Sequence, residues 1–111
     1  MAEVFTRKLS RSITNSWTSV GAYTVPASTS STLIGLTIAN TYSTAIAVDV
    51  SVYDGANNTY IVKGTTLNVG DTLVAVGGEQ KIVLVTGDEI QVKTDNALHT
   101  CDVVLSLLEL S

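Results

Sequence analysis

Residues 45–53, AIAVDVSVY, set the even positions Ile46, Val48, Val50 and Val52 apolar and place Asp49 and Ser51 on odd ones. Successive side chains of a β-strand point to opposite faces, so this period of two describes a strand with one face buried and the other wet. Upstream, residues 33–40 repeat the pattern with Ile34, Leu36 and Ile38 against Gly35, Thr37 and Ala39, and the polar residues 41–44 join the two as a hairpin or adjacent pair. Downstream, Asp54-Gly55-Ala56-Asn57-Asn58 is a turn cluster, because Gly and Asn tolerate positive φ, and residues 59–67 return as another strand.

The same reading extends to both ends of the chain. After a turn at residues 68–71, two short apolar runs at 72–76 and 81–86 flank Gly77-Gly78-Glu79-Gln80; they predict strands covered on both faces and joined by a tight glycine turn. In residues 89–94, Ile90 and Val92 alternate with Gln91 and Lys93. In the final segment, 97–110, Cys101, Val103, Leu105 and Leu107 share one face, while the other face is polar at Asp102 and apolar at Leu108 and Leu110. Near the front, residues 16–25 alternate weakly around Trp17 and are closed by Pro26, which predicts an edge strand followed by a Ser/Thr loop over 27–32. No stretch sustains a helical period. The expected fold is all-β: a single β-sandwich or jelly-roll-like domain of seven to nine short antiparallel strands over residues 15–111, preceded by a basic N-terminal arm, residues 1–14.

Composition agrees. Thirty-eight of the 111 residues are Val, Ile or Thr, whose branching at Cβ favours pleated strands. The chain is 45% hydrophobic and 14% charged, where ordinary soluble domains carry about 25% charged residues. The exterior is therefore poor in charge. A high apolar fraction with a net charge of −4 excludes a disordered chain. A membrane span is excluded too, because the longest stretch without Asp, Glu, Lys or Arg, residues 12–48, is crowded with Ser and Thr and broken by Pro26. Arg7, Lys8 and Arg11 interrupt the place where the apolar core of a signal peptide would sit, so the product is expected to be made and kept inside a cell until assembly or lysis.

Charge is divided along the chain. Residues 1–11 carry Arg7, Lys8 and Arg11 against Glu3, net +2; residues 12–111 carry three Lys against nine acids, net −6. A basic arm can reach the acidic body of a neighbouring copy, a contact that salt would weaken; a frayed, solvated terminus is the alternative. Three basic residues without interleaved aromatics, on a chain of pI about 4.6, do not form the stripe that nucleic acid requires.

No constellation carries chemistry. His99 and Cys101 would share a strand face, but one His and one Cys fall short of a structural zinc set, and i, i+2 neighbours stand parallel, a poor geometry for a nucleophile and its base. Cys101 reads as a small core residue that can form no internal disulfide, and His99 as a strand-start residue. Asp88, Glu89 and Asp95 read as solvated turn caps, and Gly77-Gly78 lacks the Lys and Ser/Thr of a phosphate loop. Asn57-Asn58-Thr59 fits a glycosylation pattern but reads as a turn. Catalytic, cofactor and metal residues are accordingly none. Tyr42, Tyr53 and Tyr60 could gather at one sheet end as a glycan platform, or simply bury their rings and keep their hydroxyls wet.

Tyr23-Thr24-Val25-Pro26-Ala27, Leu33-Ile34-Gly35-Leu36-Thr37-Ile38-Ala39-Asn40, Val48-Asp49-Val50, Tyr60-Ile61-Val62-Lys63, Val76-Gly77-Gly78-Glu79-Gln80-Lys81 and Val103-Val104-Leu105-Ser106 together resemble small β-sandwich structural proteins of tailed bacteriophages, cyanophages among them. The likeness runs from Tyr23 onward and consists of strand and turn patterns. It implies a non-enzymatic virion protein, either a decoration or cement subunit on the capsid or a neck or collar component at the head-tail junction, assembled in the host cytoplasm. The partners implied are further copies of the chain and other virion proteins, with no nucleic acid and no membrane. Expected contact residues are Arg7, Lys8 and Arg11 in the arm, Trp17 beside it, and Leu107, Leu108 and Leu110 at the end. The alternative is a host-glycan-binding module of a tail or fibre.

Overall fold

In the computed structural model, which describes residues 3–78 and 80–111, nine strands pair into two antiparallel sheets. They are β1 (Glu3–Ile13), β2 (Thr18–Ser19), β3 (Ser30–Asn40), β4 (Ile46–Tyr53), β5 (Asn58–Leu67), β6 (Thr72–Val76), β7 (Ile82–Val85), β8 (Glu89–Thr94) and β9 (Cys101–Leu110), with a 3-10 turn at Val20–Ala22. One sheet has the order β1-β9-β3, with β6 and β7 sharing the far edge of β3; the other has the order β2-β8-β4-β5. Counting β6 and β7 as one interrupted strand leaves eight strands that cross between the sheets as a double Greek key, the jelly-roll form of a β-sandwich.

The alternating patterns supply the core. From the four-stranded sheet, Ile46, Val48, Val50, Ile90 and Val92 point inward; from the five-stranded sheet come Leu33, Leu36, Ile38, Leu84, Cys101, Val103, Leu105 and Leu107. Each buried Leu, Ile or Val contributes about 1.5–3 kcal/mol over an exposed one. Buried polar groups are paired within the protein. Thr100 Oγ1 donates to the Ile13 carbonyl at 2.8 Å and lies 3.0 Å from Thr94 Oγ1, tying the end of β1 to the β8–β9 connection.

Four local expectations change. The described part of residues 1–14 is an edge strand, with β1 paired to β9 from Glu3 opposite Leu110 to Ile13 opposite Cys101, and Ile13 lies in the core. A bulge interrupts this pairing between Ser10 and Ile13, where Ser12 adopts φ 57° and its N–H is accepted by Asp102 Oδ1 at 3.0 Å. Within residues 16–25 only Thr18 and Ser19 pair as a strand, before the 3-10 turn takes over. In β3 a register shift between Leu33 and Gly35 turns Leu33 inward and leaves Ile34 half-buried. Finally, β6 and β7 pair with β3 and not with each other, and their outer faces are bare: Val74, Val83 and Val85 are exposed.

Candidate functional site

The registers assemble the outer face of the five-stranded sheet row by row. Phe5 stands opposite Leu108, Leu108 opposite Thr32 and Thr32 opposite Val83, so one row crosses β1, β9, β3 and β7. The next row towards one end is Glu3, Leu110, Ser30 and Val85. Beyond a polar row of Arg7, Ser106 and Gly35 comes Leu9, Val104, Thr37 and Val74. Phe5 is 73% and Val83 65% exposed, and Leu9, Val74, Val85 and Val104 are also open to solvent. Together these side chains leave on the order of 600 Å2 of apolar surface, the upper end of what a monomeric protein shows and close to one side of a standard interface, about 800 Å2. Apolar residues on both parities of residues 72–76 and 81–86 were the available signal. It reads as burial on both faces, and a single chain covers only one.

The expected contact residues do not form one cluster. Arg7 and Arg11 are exposed along β1, while Lys8 is half-buried with Nζ 5.2 Å from the centroid of the Tyr23 ring. Leu107 is fully buried in the core of its own chain, because odd positions of β9 face inward; Leu108 and Leu110 are half-buried on the outer face. Trp17 lies away from them, on the outer face of the four-stranded sheet. There its ring meets Tyr60 edge-on at 5.7 Å, Lys93 Nζ sits 4.6 Å from the Trp17 centroid, and Lys63 Nζ sits 4.7 Å from the Tyr60 centroid. Beside the pair, Asn58 Nδ2 donates to Ser51 Oγ and Gln91 Oε1, both at 2.8 Å.

The tyrosines separate. Tyr42 lies in the β3–β4 connection and Tyr53 at the opposite end of β4, so the three do not gather at one sheet end. The candidate chemical groups all have structural partners. Asp88 Oδ2 accepts from the Val85 N–H at 2.9 Å, Glu89 Oε2 from Thr24 Oγ1 at 3.0 Å, and, at the far end of β8, Asp95 Oδ1 from the Ala47 N–H at 3.0 Å. Asp54 accepts the N–H groups of Asn57 and Ala56, which hold its carboxyl below the ordinary carboxylate range. His99, exposed ahead of β9, donates from Nδ1 to the Ser12 carbonyl at 3.1 Å. Cys101 is buried, and burial pushes its thiol up to about 11. Among the described residues no group of three or more His, Cys, Asp or Glu is placed to hold a metal, and no helix is long and apolar enough to cross a membrane.

No protein-family profile matches the chain, and no curated protein matches it by sequence. In three dimensions it is similar to a chain of the acidic stable capsid structure of Helicobacter pylori bacteriophage KHP30, with a TM-score of 0.61 and 10% identity over 99% of this chain and 89% of that one. Two structures of a pentameric capsid protein isolated from metagenomic phage sequences agree more loosely, with TM-scores of 0.39 and 0.38 and identities of 18% and 17%. The matches span 91% and 90% of this chain but only 60% and 59% of those chains. At 10% identity the first likeness establishes a shared fold: the chain is an all-β sandwich of the kind found in that phage capsid structure.

Proposed function

We propose that this chain is a non-enzymatic structural protein of a phage particle, which associates with its own copies and with other virion proteins. The carrying observation is the apolar outer face of the five-stranded sheet, two bands of side chains that a lone molecule leaves in water. At roughly 25 cal/mol per Å2, covering such a face far outweighs the few ion pairs that β1 can make, so burial drives association and salt only tunes it. The fold shared with a chain of a phage capsid structure supports a place in the virion, on the capsid surface as a decoration or cement subunit or at the head-tail junction as a neck or collar component.

Sedimentation of the full chain over a range of concentration, with mass spectrometry of purified particles, tests this reading. The chain should form species larger than a monomer that persist in high salt, and it should co-purify with particles. Val83→Asp combined with Val104→Asp should remove the largest species while the monomer keeps the far-ultraviolet circular dichroism of the folded chain. A chain that stays monomeric throughout and is absent from particles would overturn it.

A second reading, a host-glycan-binding module of a tail or fibre, rests on the Trp17–Tyr60 pair beside the amides of Asn58 and Gln91. Both rings carry a lysine over them, which favours the first reading. A saturable response on a glycan array, lost in Tyr60→Ala, would reverse that preference.

A further inference from the structure

Among the described residues strand β1 pairs with β9 alone, so one edge of the five-stranded sheet has no described partner. The two halves of that edge differ. Around Lys8 the inner side is filled by the 3-10 turn: Gly21 passes so close that a Cβ there would lie 2.6 Å from Lys8 Cβ, and its N–H donates to Ser10 Oγ at 2.8 Å. Near the start of β1 no described residue covers either side. Val4 is 50% exposed and Phe5 73% exposed, although they point to opposite faces of the sheet. An open edge with apolar side chains on both faces is a template for another strand.

We propose that this half of β1 pairs antiparallel with the same half of β1 in a second copy of the chain, about a twofold axis at Phe5, joining two five-stranded sheets edge to edge. The proposal rests on the self-association argued above and adds a contact at the sheet edge, which sets the two apolar outer faces side by side for the further copies or virion proteins that cover them. A twofold axis normal to the sheet keeps both outer faces on one side, so odd residues of β1 meet odd residues. Those residues are Glu3, Phe5, Arg7, Leu9 and Arg11. Centred on Phe5, Glu3 of each copy stands opposite Arg7 of the other, Val4 meets Thr6, and the two Phe5 rings meet on the axis. Centred on Arg7, Glu3 meets Arg11 but Arg7 meets Arg7; centred on Thr6, Glu3 meets Leu9 and Phe5 meets Arg7; centred on Lys8, lysine meets lysine. Opposite charges and aromatic pairs directly across a ladder stabilise it, and like charges there destabilise it. Only the Phe5 register pairs Glu3 with a cation and sets no like charges face to face. It also keeps the incoming strand away from the half of the edge flanked by the 3-10 turn.

Charge exchange and cross-linking in the full chain test the register. Glu3→Arg alone or Arg7→Glu alone should raise the dissociation constant of the dimer by about tenfold or more, and the double variant Glu3→Arg/Arg7→Glu should restore it, because both pairs are then reversed together. Phe5→Cys should give a disulfide-linked dimer on mild oxidation and Leu9→Cys should not, since only residue 5 meets itself; Cys101 is buried and does not compete. If the chain associates but the single charge variants have no effect and Phe5→Cys does not cross-link, the edge pairing is wrong and the proposed function stands. If the chain is monomeric at every concentration, both fail.

Discussion

Tyr23 donates its phenolic hydrogen to Oε2 of Glu109 across 2.7 Å, and Ser31 Oγ lies 2.6 Å from the same phenolic oxygen. The phenol has one hydrogen, so Ser31 is the donor in the second contact. One buried hydroxyl thus joins the segment before β3, β3 itself and the end of β9.

This junction predicts an alkaline instability. Burial, with the Glu109 charge adding to it and the Ser31 hydrogen bond opposing it, pushes the Tyr23 phenol from 10.0 up to about 12. A folded-state value above the unfolded one means that the contribution is whole below pH 10 and is lost as pH rises through 12. Thermal melts between pH 9 and 12 should fall, and fall less steeply in Tyr23→Phe. At neutral pH that variant should already be weaker by about 1–3 kcal/mol, because Ser31 and Glu109 lose their partner.

Gly21 should tolerate no side chain. Its φ of 61° and the approach to Lys8 both act against a Cβ. Gly21→Ala is expected to cost about 1–3 kcal/mol in denaturant unfolding. Gly64, at a matching φ of 64° but with nothing within 4 Å of a Cβ, should cost less when changed to Ala, a comparison that separates the close approach from the backbone conformation.

Asn40 is buried and makes three bonds: Nδ2 donates to the carbonyls of Leu67 and Thr44, each at 3.0 Å, and Oδ1 accepts from the Tyr42 N–H at 2.8 Å. Asn40→Ala should lower stability by about 2 kcal/mol or more, since the Leu67 carbonyl loses its amide donor. Asn40→Asp should be worse, because an ionised carboxylate brings only acceptors to two carbonyls. Chemical denaturation of the two variants would rank them.

The Cys101 thiol should resist alkylation in the folded protein. It is buried and held as the neutral thiol at neutral pH, and the thiolate is the reacting form. Iodoacetamide labelling is expected only in denaturant; labelling within minutes under native conditions would contradict this placement.

Strands with one face on the core were legible as sequence. In β4 and β9 the alternation marks the inward residues Val48, Val50, Val103 and Leu105. The sequence of β1 carries no such contrast, because only part of its inner side is covered: Phe5, Arg7 and Leu9 mix on the outer face, while Val4, Thr6 and Lys8 mix on the inner one. The bulge in β3 exchanges Leu33 for Ile34 without any turn residue to announce it except Gly35. Trp17, expected as a contact residue beside the basic segment, has its ring outside the four-stranded sheet against Tyr60. The interaction face was the least legible. A valine that another subunit covers and a valine that its own chain covers are the same letter, and only the registers and exposure of Val74, Val83 and Val104 show that no described residue of this chain lies over them.

The placement of β9 between β1 and β3 governs how the molecule can be made. It is the last of the nine strands to leave the ribosome, and until it emerges Glu3 has no Leu110 and Asn40 has no Cys101 to pair with. Strand β1 therefore waits unmatched while β2 to β8 are made. Closure of that sheet is a late, long-range event, slow in the way that non-local topologies are.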